Sequence, residues 1–358
     1  MASEENDEIE IRRKLTDWLS TKLPHADALV LSELHKPGAG ESSDTQLFTA
    51  SWQEAGQPRS LDAVLRCAPT EDGPFPEYDL AMQYGVMKAL GEHTRVPVPE
   101  VLWLEEDAGV LGVPFLTMKA VDAQAPLDFP PYHGDGFYKD ATPDQRRHMW
   151  RSTVSALVEQ HAADWQKLGL DFVAGGAPEQ DPRTHALGYW RYYLEDWIKQ
   201  GKRDPAPVFD EALDYLEQNR PDPERIALCW GDAKLGNVLY DRATRDVAAV
   251  IDWELATIGD PGADLASLRV SDLRAQDGAG TCLKGTPDEA ELIALYEELS
   301  GRPVRNFDYY LIFATFWRGS VALKVMRRMR EQGADFDDSM FENHFPVRYL
   351  RQLLDAVG

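Results

Sequence analysis

Apolar residues first recur at helical spacing. Ile11, Leu15, Trp18 and Leu19 share one face of a segment over 7–23, and Pro24 stops the pattern. Two strand-like runs follow, 46–52 and 61–67, separated by Glu54-Ala-Gly-Gln-Pro58, a spacing that predicts a β-hairpin. A helical stretch over 78–90 is expected to end at Gly91, and strand-like runs return at 98–104 and 113–118. The order implies a small sheet with one helix against it.

Near residue 120 the periodicity changes. The Pro- and Gly-rich stretch 125–136 gives way to helical patterns at 144–168, 185–200, 207–218, 287–299, 307–332 and 342–357. The most apolar of these, 307–326, contains Asp308, Arg318 and Lys324, so it reads as a buried amphipathic helix rather than a membrane span. A single β-looking island, 226–252, interrupts the helices. The pattern predicts an α+β chain with a sheet-containing lobe over 1–120 and a larger, mainly helical lobe over 121–358.

The island carries the chemistry. It reads Leu228-Cys-Trp-Gly-Asp-Ala-Lys-Leu-Gly-Asn-Val-Leu-Tyr240, then Val250-Ile-Asp-Trp-Glu254, around the polar turn 241–246. A hairpin there would bring Asp232, Asn237 and Asp252 to one end of a cleft. Phosphoryl transfer needs such a set: one carboxylate to take the acceptor hydroxyl's proton, and a second carboxylate with an amide oxygen to hold magnesium. The alternative is a polar hairpin whose Asp and Asn side chains cap turns.

Charge and cysteines narrow the partners. With 61 acidic and 37 basic side chains the formal charge is −24, which argues against a nucleic-acid partner and gives weak support to cationic small molecules. Cys67, Cys229 and Cys282 form neither a C-x-x-C pair nor a zinc spacing. The acidic N-terminal stretch lacks the apolar run of a secretion signal, so a cytoplasmic, non-membrane protein is expected.

These motifs resemble the aminoglycoside phosphotransferase family. Trp230-Gly-Asp232, Asn237, Ile251-Asp252 and Gly259-Asp-Pro-Gly-Ala-Asp264-Leu-Ala266 match its signature, and Asp252-Trp-Glu254 is most similar to the subgroup related to kinase-like domains fused to acyl-CoA dehydrogenases. The resemblance covers about residues 30–330 and implies a protein-kinase-like two-lobed fold. It implies ATP or GTP and Mg2+ as cofactors, Asp232 as catalytic base, and Asn237 and Asp252 as metal ligands. Asp264 would brace the catalytic loop, although an ordinary helix cap is an open alternative.

Three positions depart from the family pattern. Trp230 replaces a histidine, and altered packing is the expected result. Arg66, in Ala63-Val-Leu-Arg66, stands where a kinase carries lysine; it would pair with the nucleotide phosphates or lie solvated on an edge strand. Gln83 falls where an ion-pairing glutamate is expected, with Glu77 nearby, and could hydrogen-bond Arg66. In the turn 38–43, Gly38, Gly40 and Ser42 could cover the phosphates. Glu254 would orient a metal-bound water or end a strand in solvent. His161 reads as an interhelical hydrogen-bonding residue, and Trp190, Tyr193, Leu194 and Trp197 mainly as core.

The expected protein is an ATP-dependent kinase of a small-molecule hydroxyl. The short interval between Asp252 and Gly259 leaves no room for a protein-kinase activation loop, which argues against a protein acceptor. An aminoglycoside or similar polyhydroxylated acceptor is the leading choice, with a hydroxyacyl-CoA or other small alcohol as alternative. A catalytically inactive nucleotide-binding pseudokinase is the reading of a different class. The sequence gives no oligomeric state.

Overall fold

The computed structural model describes residues 2–36, 44–69, 73–174, 182–195, 207–222, 225–335 and 337–358. Its N-terminal part is an antiparallel sheet with a helix on one face, and its C-terminal part is mainly helical. Helix α1 (Ala2–Lys22) buries Leu15, Trp18 and Leu19 with Leu31, Phe48, Ala63, Leu65 and Phe115 of the sheet. The strands are β1 (Asp27–Leu31), β2 (Asp44–Glu54), β3 (Gln57–Cys67), β4 (Val101–Glu105) and β5 (Phe115–Lys119), ordered β1-β2-β3-β5-β4.

The β2–β3 hairpin closes between Glu54 and Gln57 through Ala55 and Gly56, at φ +51° and +75°. Two successive positive φ values suit the right-handed twist of paired strands, and glycine takes such a conformation at little cost. Along β3, Ala63 and Leu65 point into the α1 core, so Val64 and Arg66 fall on the opposite face. That alternation aims Arg66 away from α1.

Helix α2 (Leu80–His93) starts at Asp79, whose carboxylate accepts from the Met82 amide, and runs past Gly91 to Thr94. Gly91 lies inside it, close against Val98, where a Cβ would be 3.3 Å from Val98 Cγ2. The helical half contains α3 (Gly136–Asp140), α4 (Pro143–Ala162), α5 (Pro182–Tyr192) and α6 (Val208–Gln218). It continues with α7 (Gly262–Ala279), α8 (Glu289–Ser300), α9 (Phe307–Glu331), α10 (Asp338–Asn343) and α11 (Phe345–Val357).

Several element ends differ from the periodic pattern, and α7 lay outside it. Helix α4 stops at Ala162 rather than 168, where Asp164 turns the chain by accepting from the Lys167 amide. The 342–357 pattern breaks at His344 because Pro346 lacks an amide and fits only a helix's first turn. The long apolar run becomes α9, packed on α6, α7 and α11. Among the described residues no helix is long and apolar enough to cross a membrane.

The island folds as two small ladders, β6 (Ala227–Cys229) with β9 (Thr257–Gly259), and β7 (Val238–Tyr240) with β8 (Val247–Val250). Strand β9 was not legible in the pattern; three residues show no period.

Candidate active site

The loop after β6 begins with Trp230 and Gly231. Gly231 has φ +85°, and a Cβ there would lie 1.9 Å from the Leu255 carbonyl oxygen, so only glycine fits. Asp264 holds this loop from α7. Its Oδ2 accepts from the Trp230 amide at 2.6 Å and its Oδ1 from the Gly231 amide at 2.8 Å. Gln160 Nε2 and His161 Nε2 also reach Oδ2, at 3.3 and 3.0 Å. Pro261 occupies the cap position of α7, so the capping alternative for Asp264 does not hold.

His161 joins α4 to α8 as expected, with Nδ1 2.9 Å from the Tyr296 hydroxyl. The ligand-type atoms of His161, Cys229 and Asp264 lie within 4.8 Å of one another. Asp264 is engaged by backbone amides, and burial pushes the Cys229 thiol well up, away from the thiolate a metal needs. This cluster is structural. Trp190, Tyr193 and Leu194 are buried in the core, and Trp197 lies outside the described residues.

The Trp230 indole is fully buried and donates from Nε1 to the carbonyls of Ile251 at 2.9 Å and Asp252 at 3.1 Å. It thereby ties the Asp232 loop to the Asp252 loop. The β7–β8 ladder brings the third member in: the Ile251 amide donates to the Asn237 carbonyl at 3.0 Å, and Asn237 Nδ2 donates to Asp232 Oδ2 at 2.9 Å. Asp232, Asn237 and Asp252 therefore gather at one end of the hairpin. Asp252 sits at φ +65°, a conformation costly for a non-glycine residue.

Two cations flank Asp232. Arg318 Nη2 is 2.9 Å from Oδ1, and Lys234 Nζ is 3.5 Å from Oδ2 while also lying 2.9 Å from Asp128 Oδ2. Burial opposes ionisation of Asp232, but Lys234, Arg318 and the Asn237 hydrogen bond outweigh it and hold the carboxyl below its usual range.

Arg66 reaches the same end from the sheet. One guanidinium nitrogen, Nη2, bridges Asp252 Oδ1 at 2.8 Å and Glu254 Oε2 at 2.9 Å, with all three side chains largely buried. The solvated alternatives for Arg66 and Glu254 therefore fail; β3 is an interior strand between β2 and β5. Burial works against the guanidinium charge, but the two carboxylates more than restore it. One cation does not fully offset two carboxylates: burial and the Asp252 charge push Glu254 up to about 8.

The expected Gln83–Arg66 hydrogen bond is absent. Gln83 is buried on α2, and its Nε2 has no partner among the described residues, nor has Arg66 Nε. Arg66 instead turns to the two carboxylates, the stronger acceptors. Glu77 is exposed. Gly38, Gly40 and Ser42 lie outside the described residues.

Sequence reasoning missed Asp128, Lys234 and Arg318. Lys234, two residues after Asp232, could have been flagged from the loop alone. Arg318 had a subtler signal, a guanidinium inside a run that otherwise reads as buried.

Comparison with known proteins bears on family and fold. A family model described as the phosphotransferase enzyme family matches residues 38–300. A protein named "Probable acyl-CoA dehydrogenase" of Arabidopsis thaliana is 27% identical over 81% of the chain and 36% of its own length. Acyl-CoA dehydrogenase family member 10 of Mus musculus is 27% identical over 74% of the chain and 24% of its own length. The chain thus spans about a third or less of these curated relatives. A candidate aminoglycoside phosphotransferase from Ralstonia eutropha has a solved structure with TM-score 0.66, 23% identity, and coverage of 96% of this chain and 95% of its own. That likeness concerns the fold.

Proposed function

The chain belongs to the phosphotransferase enzyme family, and from that premise we propose that it transfers the terminal phosphoryl group of ATP or GTP to a hydroxyl of a small molecule. The observation that carries the reading is the Asp232–Asn237 hydrogen bond, with Asp252 brought alongside by the β7–β8 ladder. Asp232 takes the proton of the acceptor hydroxyl as the new P–O bond forms and the bond to the leaving nucleotide oxygen breaks. Residues 1–120 then form the nucleotide-binding lobe and 121–358 the lobe that carries the acceptor.

Magnesium fits the donor set. Asn237 uses its amide nitrogen on Asp232, which leaves its oxygen for a hard cation, and Asp252 with Glu254 forms an under-neutralised buried pair. Asn237 and Asp252 would hold the ion, which when bound neutralises charge on the nucleotide phosphates. Arg66 would meet the same phosphates with the donors it does not spend on Asp252 and Glu254, Glu254 orients Arg66, and Asp264 fixes the loop that presents Asp232.

Two observations bear on the acceptor. The acidic net charge favours a cationic aminoglycoside or similar polyol. Closer to the chemistry, Lys234 and Arg318 are each already paired with carboxylates, so the local charge selects neither class. The relatives' names carry the preference for a hydroxyacyl thioester over an aminoglycoside. Turnover screened against both classes separates them: activity on aminoglycosides alone would reverse the preference.

Asp232→Asn tests the core of the reading. Turnover should fall by about 10²–10⁴-fold while nucleotide binding persists; full turnover in this variant would refute the role of Asp232. An inactive nucleotide-binding protein would instead bind ATP tightly and transfer to no acceptor. The intact set of Asp232, Asn237 and Asp252, gathered at one end of the β7–β8 hairpin, argues against it.

A further inference from the structure

We infer that Arg318 is a positioning residue for phosphoryl transfer, locking the Asp232 carboxylate in the orientation from which it meets the acceptor hydroxyl. The inference rests on the phosphotransferase reading and assigns a role to a residue outside the sequence motifs.

Arg318 projects from α9, whose other buried residues are mostly apolar. A guanidinium is costly to bury unless its donors are met. Here Nη2 is 2.9 Å from Asp232 Oδ1 and donates to the Ala233 carbonyl at 2.9 Å. Nη2 and Nε also donate to Ser267 Oγ on α7, at 2.7 and 3.1 Å. Ser267 Oγ in turn donates to the Ala233 carbonyl at 3.2 Å. The guanidinium lies over the Trp317 ring, 4.4 Å from its centroid. It is therefore fixed from α7 and α9 before it touches Asp232.

The terminal torsion of an aspartate is broad, so one hydrogen bond leaves the carboxylate plane poorly defined. Asn237 secures Oδ2, and Arg318 secures Oδ1. Holding both oxygens sets the plane, and with it the direction from which a hydroxyl proton can be accepted. Lysine would keep the charge but lose the Nε bond to Ser267 and the guanidinium plane over Trp317 that fix Nη2 against Asp232.

The test uses the full chain with magnesium and ATP, and with either the acceptor returned by the screen above or water as acceptor. Arg318→Lys should lower kcat by about 10–100-fold, the scale on which misalignment acts, with KM and Kd for ATP within about twofold of the parent. Ser267→Ala leaves Asp232 and Arg318 in place but loosens the anchor; it should lower kcat by about 3–10-fold, more than the folded fraction at the assay temperature accounts for. The inference is overturned if kcat is unchanged in both variants, or if it falls only in proportion to the folded fraction. Asp232→Asn, run in parallel, separates the two levels. If it abolishes turnover while Arg318→Lys keeps the parent's kcat, only the present inference fails. If it retains turnover, or if the parent has none, the phosphotransferase reading fails and takes this inference with it.

Discussion

Asp264→Asn discriminates sharply between two roles for a buried acid in the first turn of α7. If it only complemented the helix dipole, neutralising it would cost about 0.3–1 kcal/mol. The structure gives it four donors instead: one on Oδ1, from Gly231, and three on Oδ2, from Trp230, Gln160 and His161. An asparagine at this position would do least harm with its oxygen toward the three donors and its NH2 toward Gly231, leaving that amide without an acceptor. The orphaned amide costs about 1–3 kcal/mol, and each remaining bond weakens by about 1 kcal/mol on losing its ionic partner. Relief from burying a charge offsets part of this, leaving a net loss of about 3 kcal/mol. Urea unfolding should report it as a lower midpoint at constant slope. Because the two amides set the loop that carries Asp232, kcat should also fall, by about tenfold or more. A stability change below about 1 kcal/mol with normal turnover would refute the bracing argument.

Three further outcomes follow from the geometry. Arg66→Met strips Asp252 and Glu254 of their shared cation and should cost about 3–5 kcal/mol; millimolar Mg2+ should raise the variant's melting temperature more than the parent's, and an equal response would contradict the charge accounting. Gly231→Ala forces a Cβ to 1.9 Å from the Leu255 carbonyl oxygen at φ +85° and should destabilise by about 3–5 kcal/mol or prevent folding, so a parent-like melting curve would disprove the local geometry. Burial, aided by Arg348, lowers His344 from 6.5 to about 4, so the unfolded chain takes up a proton at pH values where the folded chain does not. Stability should therefore fall as pH drops from 6.5 toward 4, by about 3 kcal/mol in full, and His344→Asn should flatten that slope; an unchanged acid slope in urea titrations would count against it.

The residues of the candidate site were legible to different depths. The segments 228–240 and 250–254 are local: their apolar runs, polar turn and spacing force a hairpin, and a hairpin brings Asn237 beside Asp252 whatever surrounds it. Most helices of the C-terminal half were legible for the same reason, since a repeating apolar face records burial within a single turn; α7 was not, because it is buried on most sides and shows no such face. Their ends were less so, because Pro346 and Asp164 act on one residue at a time.

Partnership was not written in any local pattern. Strand alternation placed Arg66 on the face away from α1, but only the packing of the sheet against the helical half set it on Asp252 and Glu254, which lie 186 and 188 residues away. The same holds for Gln83, which periodicity buried and which tertiary packing left apart from Arg66. Arg318 looked like an interruption in an apolar helix until α7 and α9 came together around Asp232. The sequence by itself determined the elements, the hairpin and its three oxygen-bearing side chains, because periodicity and turn chemistry act over a few residues. Tertiary structure decided which charges meet, because the low-dielectric contacts that select ionic partners exist only once distant segments have been brought together.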